Sequence, residues 1–174
     1  MPNVAKFARA LYALHRENLL IDDDCRDAIG MFVRQATETP HWHLSAHYRS
    51  RRAEAEIQKV RFLSGEHYHR WCSENLRHEH MVPVSEVIDM LTAAPNITED
   101  FIANTLRKYG LRATIHREED GLLNSKGLAR RMPASFRDPN SPLYMDPLAR
   151  YKETGLFETL VPLAGAVWTF PSAG

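Results

Sequence analysis

Cysteine and long apolar runs are both scarce in this sequence. The 174 residues include 2 cysteines, Cys25 and Cys72, whose spacing fits no common zinc motif. So few thiols in a chain of this length are typical of a reduced intracellular protein. No apolar stretch approaches the ~18–20 residues that span a bilayer, and the first residues show no signal-peptide pattern. We therefore expect a cytoplasmic protein that makes no contact with a membrane.

An excess of charge of one sign is also absent. Lysine plus arginine and aspartate plus glutamate number 22 each, whereas proteins that coat nucleic acid are usually strongly basic. Any contact with DNA must therefore come from a local basic face. Hydrophobic residues make up 44% of the chain and charged residues 25%, which is an ordinary globular mixture. The length fits a single domain.

Apolar residues at helical spacing predict most of the elements. Ser85 and Thr98 are the expected N-caps of two of the helices, and Gly110 is the expected terminating residue of the second. Short stretches over 78–84 and 111–116 predict two strands. The predicted helices cover 4–17, the stretch from the aspartates at 22–24 to Thr39, 49–62, 67–76, 86–93, 99–109, 118–125 and 148–156.

These elements predict an α+β fold that is predominantly helical, with a small two-stranded antiparallel element cradled by helices. We expect a single domain with three regions. An N-terminal helical region, 1–76, precedes a core at 77–133 that contains a helical insertion. A tail at 134–174 packs on that core.

The strongest chemical signal is the segment Arg77-His78-Glu79-His80-Met81-Val82-Pro83. At the end of a strand, the Glu79 carboxylate can bind a divalent cation. The adjacent His80 points elsewhere and can polarise a water for attack on a phosphodiester. Histidine suits this role because its unperturbed pKa lies close to cellular pH.

This segment resembles the first half of the HNH, or ββα-metal, endonuclease motif. Residues 115–120, Ile-His-Arg-Glu-Glu-Asp, resemble the second half, a strand that runs into a helix. The resemblance covers roughly 77–133 and implies a metal-dependent endonuclease, or a degenerate relative of one, that cleaves DNA. It implies Glu79 and Asp120 as ligands of Mg²⁺ or Mn²⁺ and His80 as general base. His78 is a further candidate ligand, and Zn²⁺ is the alternative ion.

The sequence departs from the family pattern at three points. Asp120 stands where the family has histidine, and Leu111 lies at about the place of the family's central asparagine. A long predicted helical insertion separates the two halves. Downstream of the candidate site, Lys126, Arg130 and Arg131 lie where a substrate loop is expected, and we predict that they contact phosphate.

Two other functions fit the same sequence. The zero net charge and the missing family residues favour a non-enzymatic module that binds a protein partner, as an inhibitor or adaptor in a defence or counter-defence system. The His-x-His pairs favour a zinc-stabilised helical protein. These pairs are His41 with His43, His67 with His69, and His78 with His80, and His47 lies one helical turn beyond His43.

Overall fold

Two amphipathic helices open the fold, α1 (Val4–Arg16) and α2 (Arg26–Thr37). Val4, Ala8 and Leu11 follow one another at spacings of three and four residues and are all buried, which explains why this segment is helical. Both helices agree with the sequence prediction. The computed structural model describes residues 3–37, 46–63 and 65–163.

Helices α5 (Val84–Ala93) and α6 (Glu99–Tyr109) pack with α1 and α2. The predicted cap of α6 is confirmed, because the Thr98 side chain accepts a hydrogen bond from the Phe101 backbone N–H at 3.1 Å. The predicted Ser85 cap is wrong. Helix α5 begins at Val84, two residues before the predicted start at 86, so Ser85 lies inside the helix and Pro83 is the N-cap residue, without a side-chain cap hydrogen bond.

Four short strands lie within the described residues: β1 (Tyr48–Ser50), β2 (Leu76–His80), β3 (Arg112–His116) and β4 (Leu160–Pro162). They form one mixed sheet in the order β2-β3-β1-β4. The antiparallel partners β2 and β3 are the predicted pair, while β1 runs parallel to β3 and antiparallel to β4. The predicted α+β, mainly helical class is confirmed, but the sheet is larger than two strands.

The strand predicted over 78–84 lies earlier in the chain than expected. Strand β2 ends at His80, because the Met81–Pro83 stretch turns the chain into α5. The helix predicted over 49–62 is shorter than expected, since residues 48–50 pair as β1 before the helix α3 (Arg51–Val60) begins.

The remaining helices cover the sheet. On one face, Leu123 and Tyr151 pack against Ala113 and Ile115 of β3. On the other face, Ala53, Ile57 and Cys72 pack against Leu76 of β2. A larger apolar cluster fills the space among α1, α2, α5 and α6. The covering helices are α3 (Arg51–Val60), α4 (Gly65–Asn75), α7 (Arg117–Ser125) and α8 (Ala149–Thr154).

Strand β3 runs directly into α7. In space, α7 therefore extends from the antiparallel pair that β2 and β3 form. Helices α5 and α6 lie between the two strands in the chain and belong to the helical layer. Within the three described stretches, no helix is long and apolar enough to cross a bilayer.

Candidate functional site

The predicted site residues lie on two different faces of the sheet. Successive residues of a strand project to opposite sides. Glu79 contacts Tyr151 on the face that α7 and α8 cover. His78 and His80 project from the other face, where His80 contacts Thr37. The predicted base and the predicted ligand are therefore separated by the strand, although they are neighbours in sequence.

The Glu79 carboxylate already has two partners on its face. Tyr151 donates its hydroxyl hydrogen to Glu79 Oε1, and Arg150 Nη2 lies 3.5 Å from Glu79 Oε2. Burial raises the pKa of Glu79, while Arg150 and Tyr151 oppose this effect and the negative charge of Asp120 adds to it. The Glu79 and Asp120 carboxylates thus lie near enough to influence each other.

The two predicted carboxylate ligands of a divalent cation each lie beside an arginine. Asp120 Oδ2 lies 3.9 Å from Arg77 Nε, and Glu79 Oε2 lies 3.5 Å from Arg150 Nη2. The third predicted ligand, His78, projects from the opposite face of the sheet. In the described segments, no group of three or more His, Cys, Asp or Glu side chains could hold a metal ion.

Thr37, at the end of α2, contacts His80 and favours one tautomer of its ring. The Thr37 hydroxyl lies 3.1 Å from the Arg34 carbonyl and 3.3 Å from the Val33 carbonyl, so two backbone acceptors compete with His80 for its single hydrogen. His80 Nε2 lies 3.0 Å from the same oxygen, and donation from Nε2 to this oxygen satisfies both groups. In that tautomer the lone pair lies on Nδ1, which is then the atom able to take up a proton.

Gly110 allows Thr37 to reach this position. A Cβ atom at Gly110 would lie 2.2 Å from Thr37 Cγ2 and 2.4 Å from the Leu106 carbonyl oxygen. Only glycine therefore lets the turn between α6 and β3 approach α2 so closely. Gly110 also ends α6, as the sequence predicts.

The surroundings of His80 keep its ring neutral. Burial, together with the nearby positive charges of Arg112 and Arg34, lowers the pKa of His80 from 6.5 to about 3. An anion bound beside these arginines would offset their charge and raise this pKa toward the range of an effective general base. The proton affinity of His80 is therefore coupled to whatever anion lies next to it.

An open cleft of about 510 Å³ runs along the exposed edge of the sheet at β2. Its walls bring together side chains from α2, α4, β2 and β3. No carboxylate of the described residues lines it, so the charge of its lining is positive, although Asp120 lies 3.9 Å from the lining Arg77. We call this space the arginine–histidine cleft, and its lining residues are Arg34, Ser73, Leu76, Arg77, His78, His80 and Arg112.

No family model, curated protein or solved structure matches this chain. The function must therefore be inferred from the chemistry of the cleft rather than from homology. Its volume falls within the range of roughly 300–1,000 Å³ that is usual for small-ligand sites.

Two of the positive groups are held firmly in the wall of the cleft. The Arg112 guanidinium donates to the Arg34 carbonyl at 2.9 Å and to the Thr37 hydroxyl at 3.4 Å. Arg77 donates to the Ser73 carbonyl at 2.9 Å. The Arg34 side chain itself is exposed, and no carboxylate among the described residues forms an ion pair with it.

His78 lies beside His80 in this wall. Its Nδ1 is 3.1 Å from Thr114 Oγ1 on β3, which fixes the orientation of the ring. The structure thus brings the two predicted histidines into one cleft and leaves Glu79 and Asp120 together on the other face.

The three basic residues predicted to contact phosphate lie in different places. Lys126 Nζ donates to the Glu153 carbonyl at 3.0 Å, and the exposed Arg131 lines neither cleft described here. Arg130 lines a second cleft, of about 480 Å³, which adjoins the first one.

The sequence analysis did not predict Arg34, Arg112 and Arg150 as site residues. Arg34 belongs to an amphipathic helix, where an arginine is usually a solvated surface residue. Arg112 could have been found, because strand alternation places Arg112 and Thr114 on the face opposite Ala113. Arg150 has no local signal, since all its partners lie far away in the sequence.

Only some of the histidines predicted to bind zinc lie within the described residues. His41 and His43 lie outside them. His67 and His69 both lie on α4, where residues two positions apart point in different directions. His47 is described, and its Nδ1 accepts a hydrogen bond from the Arg112 backbone N–H at 3.0 Å. This contact joins His47 to strand β3.

Proposed function

We propose that this protein binds the sugar–phosphate backbone of a nucleic acid in the arginine–histidine cleft. The observation that carries the proposal is the convergence of Arg34, Arg77 and Arg112 on one space without a lining carboxylate. Guanidinium groups donate paired hydrogen bonds that match the geometry of phosphate oxygens.

The zero net charge of the chain is compatible with this proposal. Nucleic-acid affinity depends on the phosphates that are neutralised locally. Acidic residues elsewhere do not cancel a cleft at close range, because salt screens charges beyond a distance of about 8–10 Å. The positive cleft is the local basic face that a neutral DNA-binding protein requires.

The endonuclease function is a proposal for this same cleft. It is supported by the order of β2, β3 and α7, and by the placement of His80 in the wall where phosphate would lie. A phosphodiester between Arg34 and Arg112 would raise the proton affinity of His80. His80 Nδ1 would then accept the proton of an attacking water, while Thr37 holds Nε2–H. The water oxygen would bond to phosphorus as the bond from phosphorus to one ester oxygen breaks, and that leaving oxygen would take a proton from solvent.

The first test measures binding of a fluorescent single-stranded oligonucleotide by anisotropy over a series of salt concentrations. We expect the affinity to fall steeply with salt, because cations are released from the phosphates on binding. Arg34→Ala should weaken binding about tenfold or more, since it removes a charged hydrogen-bond donor. It should also reduce the slope of log affinity against log salt by about one.

Arg9→Ala is the matched control, because Arg9 is an arginine on α1 whose side chain is 79% exposed. It removes one positive charge from the whole molecule and none from the cleft. Equal weakening by Arg9→Ala and Arg34→Ala would mean that general charge, and not the cleft, drives binding.

The second test is a plasmid-cleavage assay in Mg²⁺, Mn²⁺, Zn²⁺ or EDTA. If the cleft hydrolyses phosphodiesters, His80→Ala should abolish nicking, and circular dichroism should show a folded protein. His67→Ala replaces an exposed histidine of α4 and should cleave like the wild type. Retained cleavage in a folded His80→Ala protein would exclude His80 as the base.

The protein-binding alternative predicts a different outcome from both tests. In that case the oligonucleotide would not bind, or its binding would not respond to Arg34→Ala, and no cation would support nicking. The binding result would withdraw the nucleic-acid proposal, and the absence of nicking would withdraw the endonuclease function alone.

A further inference from the structure

A second cleft adjoins the arginine–histidine cleft at Arg34 and His80, which line both. It has a volume of about 480 Å³, and we call it the Arg130 cleft. Its other walls come from the start of α5 and from the segment after α7. The lining residues are Arg34, Glu79, His80, Pro83, Val84, Ser85, Ala129 and Arg130.

We propose that the two clefts form one bipartite site that holds two successive phosphates of a single strand. One phosphate would lie with Arg77 and Arg112, and the next with Arg130. Arg34 would bridge them at the junction beside His80. This inference rests on the proposed function and assigns its substrate class: a nucleic-acid strand with at least two phosphates rather than a mononucleotide.

Two features favour successive phosphates. The clefts are of similar volume, and each falls within the range that accommodates one small ligand. Each has a guanidinium group that the other lacks, Arg77 and Arg112 in the first and Arg130 in the second. The Glu79 carboxylate also lines the second cleft, where Arg150 and Tyr151 already pair with its two oxygens. The exposed Arg34 is common to both, so one side chain can contact phosphates on either side of it.

The chemistry of the walls also indicates that bases are not read. No Phe, Tyr or Trp among the described residues lines either cleft, although stacking on aromatic rings is the usual way to bind bases of a single strand. Contacts to phosphate carry no sequence information. Recognition at this site should therefore be independent of base sequence.

The location of Arg130 relative to β2 is set by buried contacts. Arg150 donates to the Ala129 carbonyl at 3.0 Å and to the Leu128 carbonyl at 2.7 Å. The same guanidinium donates to the His80 carbonyl at 2.5 Å. The backbone on both sides of the Arg130 cleft is thus tied to one buried side chain.

The test measures binding of fluorescent thymidine oligonucleotides that carry one, two, four and six phosphates. We expect a rise of about tenfold in affinity from one phosphate to two, as a second charged contact is added, and a smaller rise thereafter. Arg130→Ala should remove the gain from the second phosphate. Arg131→Ala is the matched control, because it removes the neighbouring exposed arginine, which lines neither cleft.

The outcomes separate this inference from the proposed function. Equal behaviour of Arg130→Ala and Arg131→Ala, with Arg34→Ala still weakening the oligonucleotide, would overturn the bipartite site and leave the first cleft in place. Equal binding of the one-phosphate and two-phosphate probes would overturn the substrate class. Tighter binding of adenosine than of thymidine oligomers would overturn recognition that is independent of base sequence. Failure of the wild type to bind any of the probes would overturn the proposed function itself.

Discussion

Arg150→Met should destabilise the protein by about 3–5 kcal/mol, the usual cost of leaving a buried charge without its partner. The Arg150 side chain is 1% exposed, and its guanidinium is surrounded by four carbonyl oxygens and the Glu79 carboxylate. Methionine fills a similar volume but donates no hydrogen bond. Urea denaturation followed by circular dichroism would measure the change in the free energy of unfolding.

Two further variants test the mechanism of this loss. Arg150→Lys keeps the charge but lacks the planar fork that reaches several carbonyls at once, so we expect a loss smaller than that of Arg150→Met. Adding Glu79→Gln to Arg150→Met should cost less than the sum of the two single changes, because the two groups interact. Strict additivity would contradict the pairing of Glu79 with Arg150.

The protein should lose stability as the pH falls below about 6.5. Burial lowers the pKa of His47 to about 4 and that of His80 to about 3, whereas both histidines have a pKa near 6.5 in the unfolded chain. Below pH 6.5, the two histidines therefore bind protons in the unfolded state but stay neutral in the folded state. Each histidine should reduce the free energy of unfolding by about 1.4 kcal/mol per pH unit below 6.5, down to its folded pKa.

Denaturation curves between pH 7.5 and pH 5 would measure this slope. Protonation of His47 is costly because its Nδ1 accepts the Arg112 backbone N–H, so His47→Gln should flatten the slope. His67→Gln on the exposed surface of α4 is the control and should leave it unchanged. The raised pKa of Glu79 acts in the opposite direction, since protonation of that carboxyl in acid recovers stability. Stability that stays constant down to pH 5 would contradict the buried neutral histidines.

The helices were largely predictable because their signals are local. The buried stripe of α1 and the Thr98 cap of α6 both lie within a few residues of the structure that they determine. Strand β1 was not predictable in the same way. It has only three residues, Tyr48, Arg49 and Ser50, and it becomes a strand by pairing with β3, more than sixty residues away.

The candidate site was predictable only in part, for the same reason. His78, His80 and Glu79 were found as chemically capable residues, but their separation onto two faces depends on β2 being a regular strand. Arg112 reaches Arg34 across 78 residues of sequence, and Arg150 reaches His80 across 70. Such long-range pairings produce no periodic pattern in the sequence, so the cleft could be recognised only in the folded chain.

The arginine–histidine cleft lies where the helical layer meets the sheet. Arg34 belongs to helix α2 and Arg77 to strand β2. A ligand that bridges these residues binds the folded state alone and therefore stabilises it by RT ln(1 + [L]/Kd). Near saturation at a hundred times Kd, this amounts to about 2.7 kcal/mol. The melting temperature of the chain thereby becomes a reporter of cleft occupancy, so a thermal-shift screen of phosphate-bearing compounds can find ligands before any reaction has been identified.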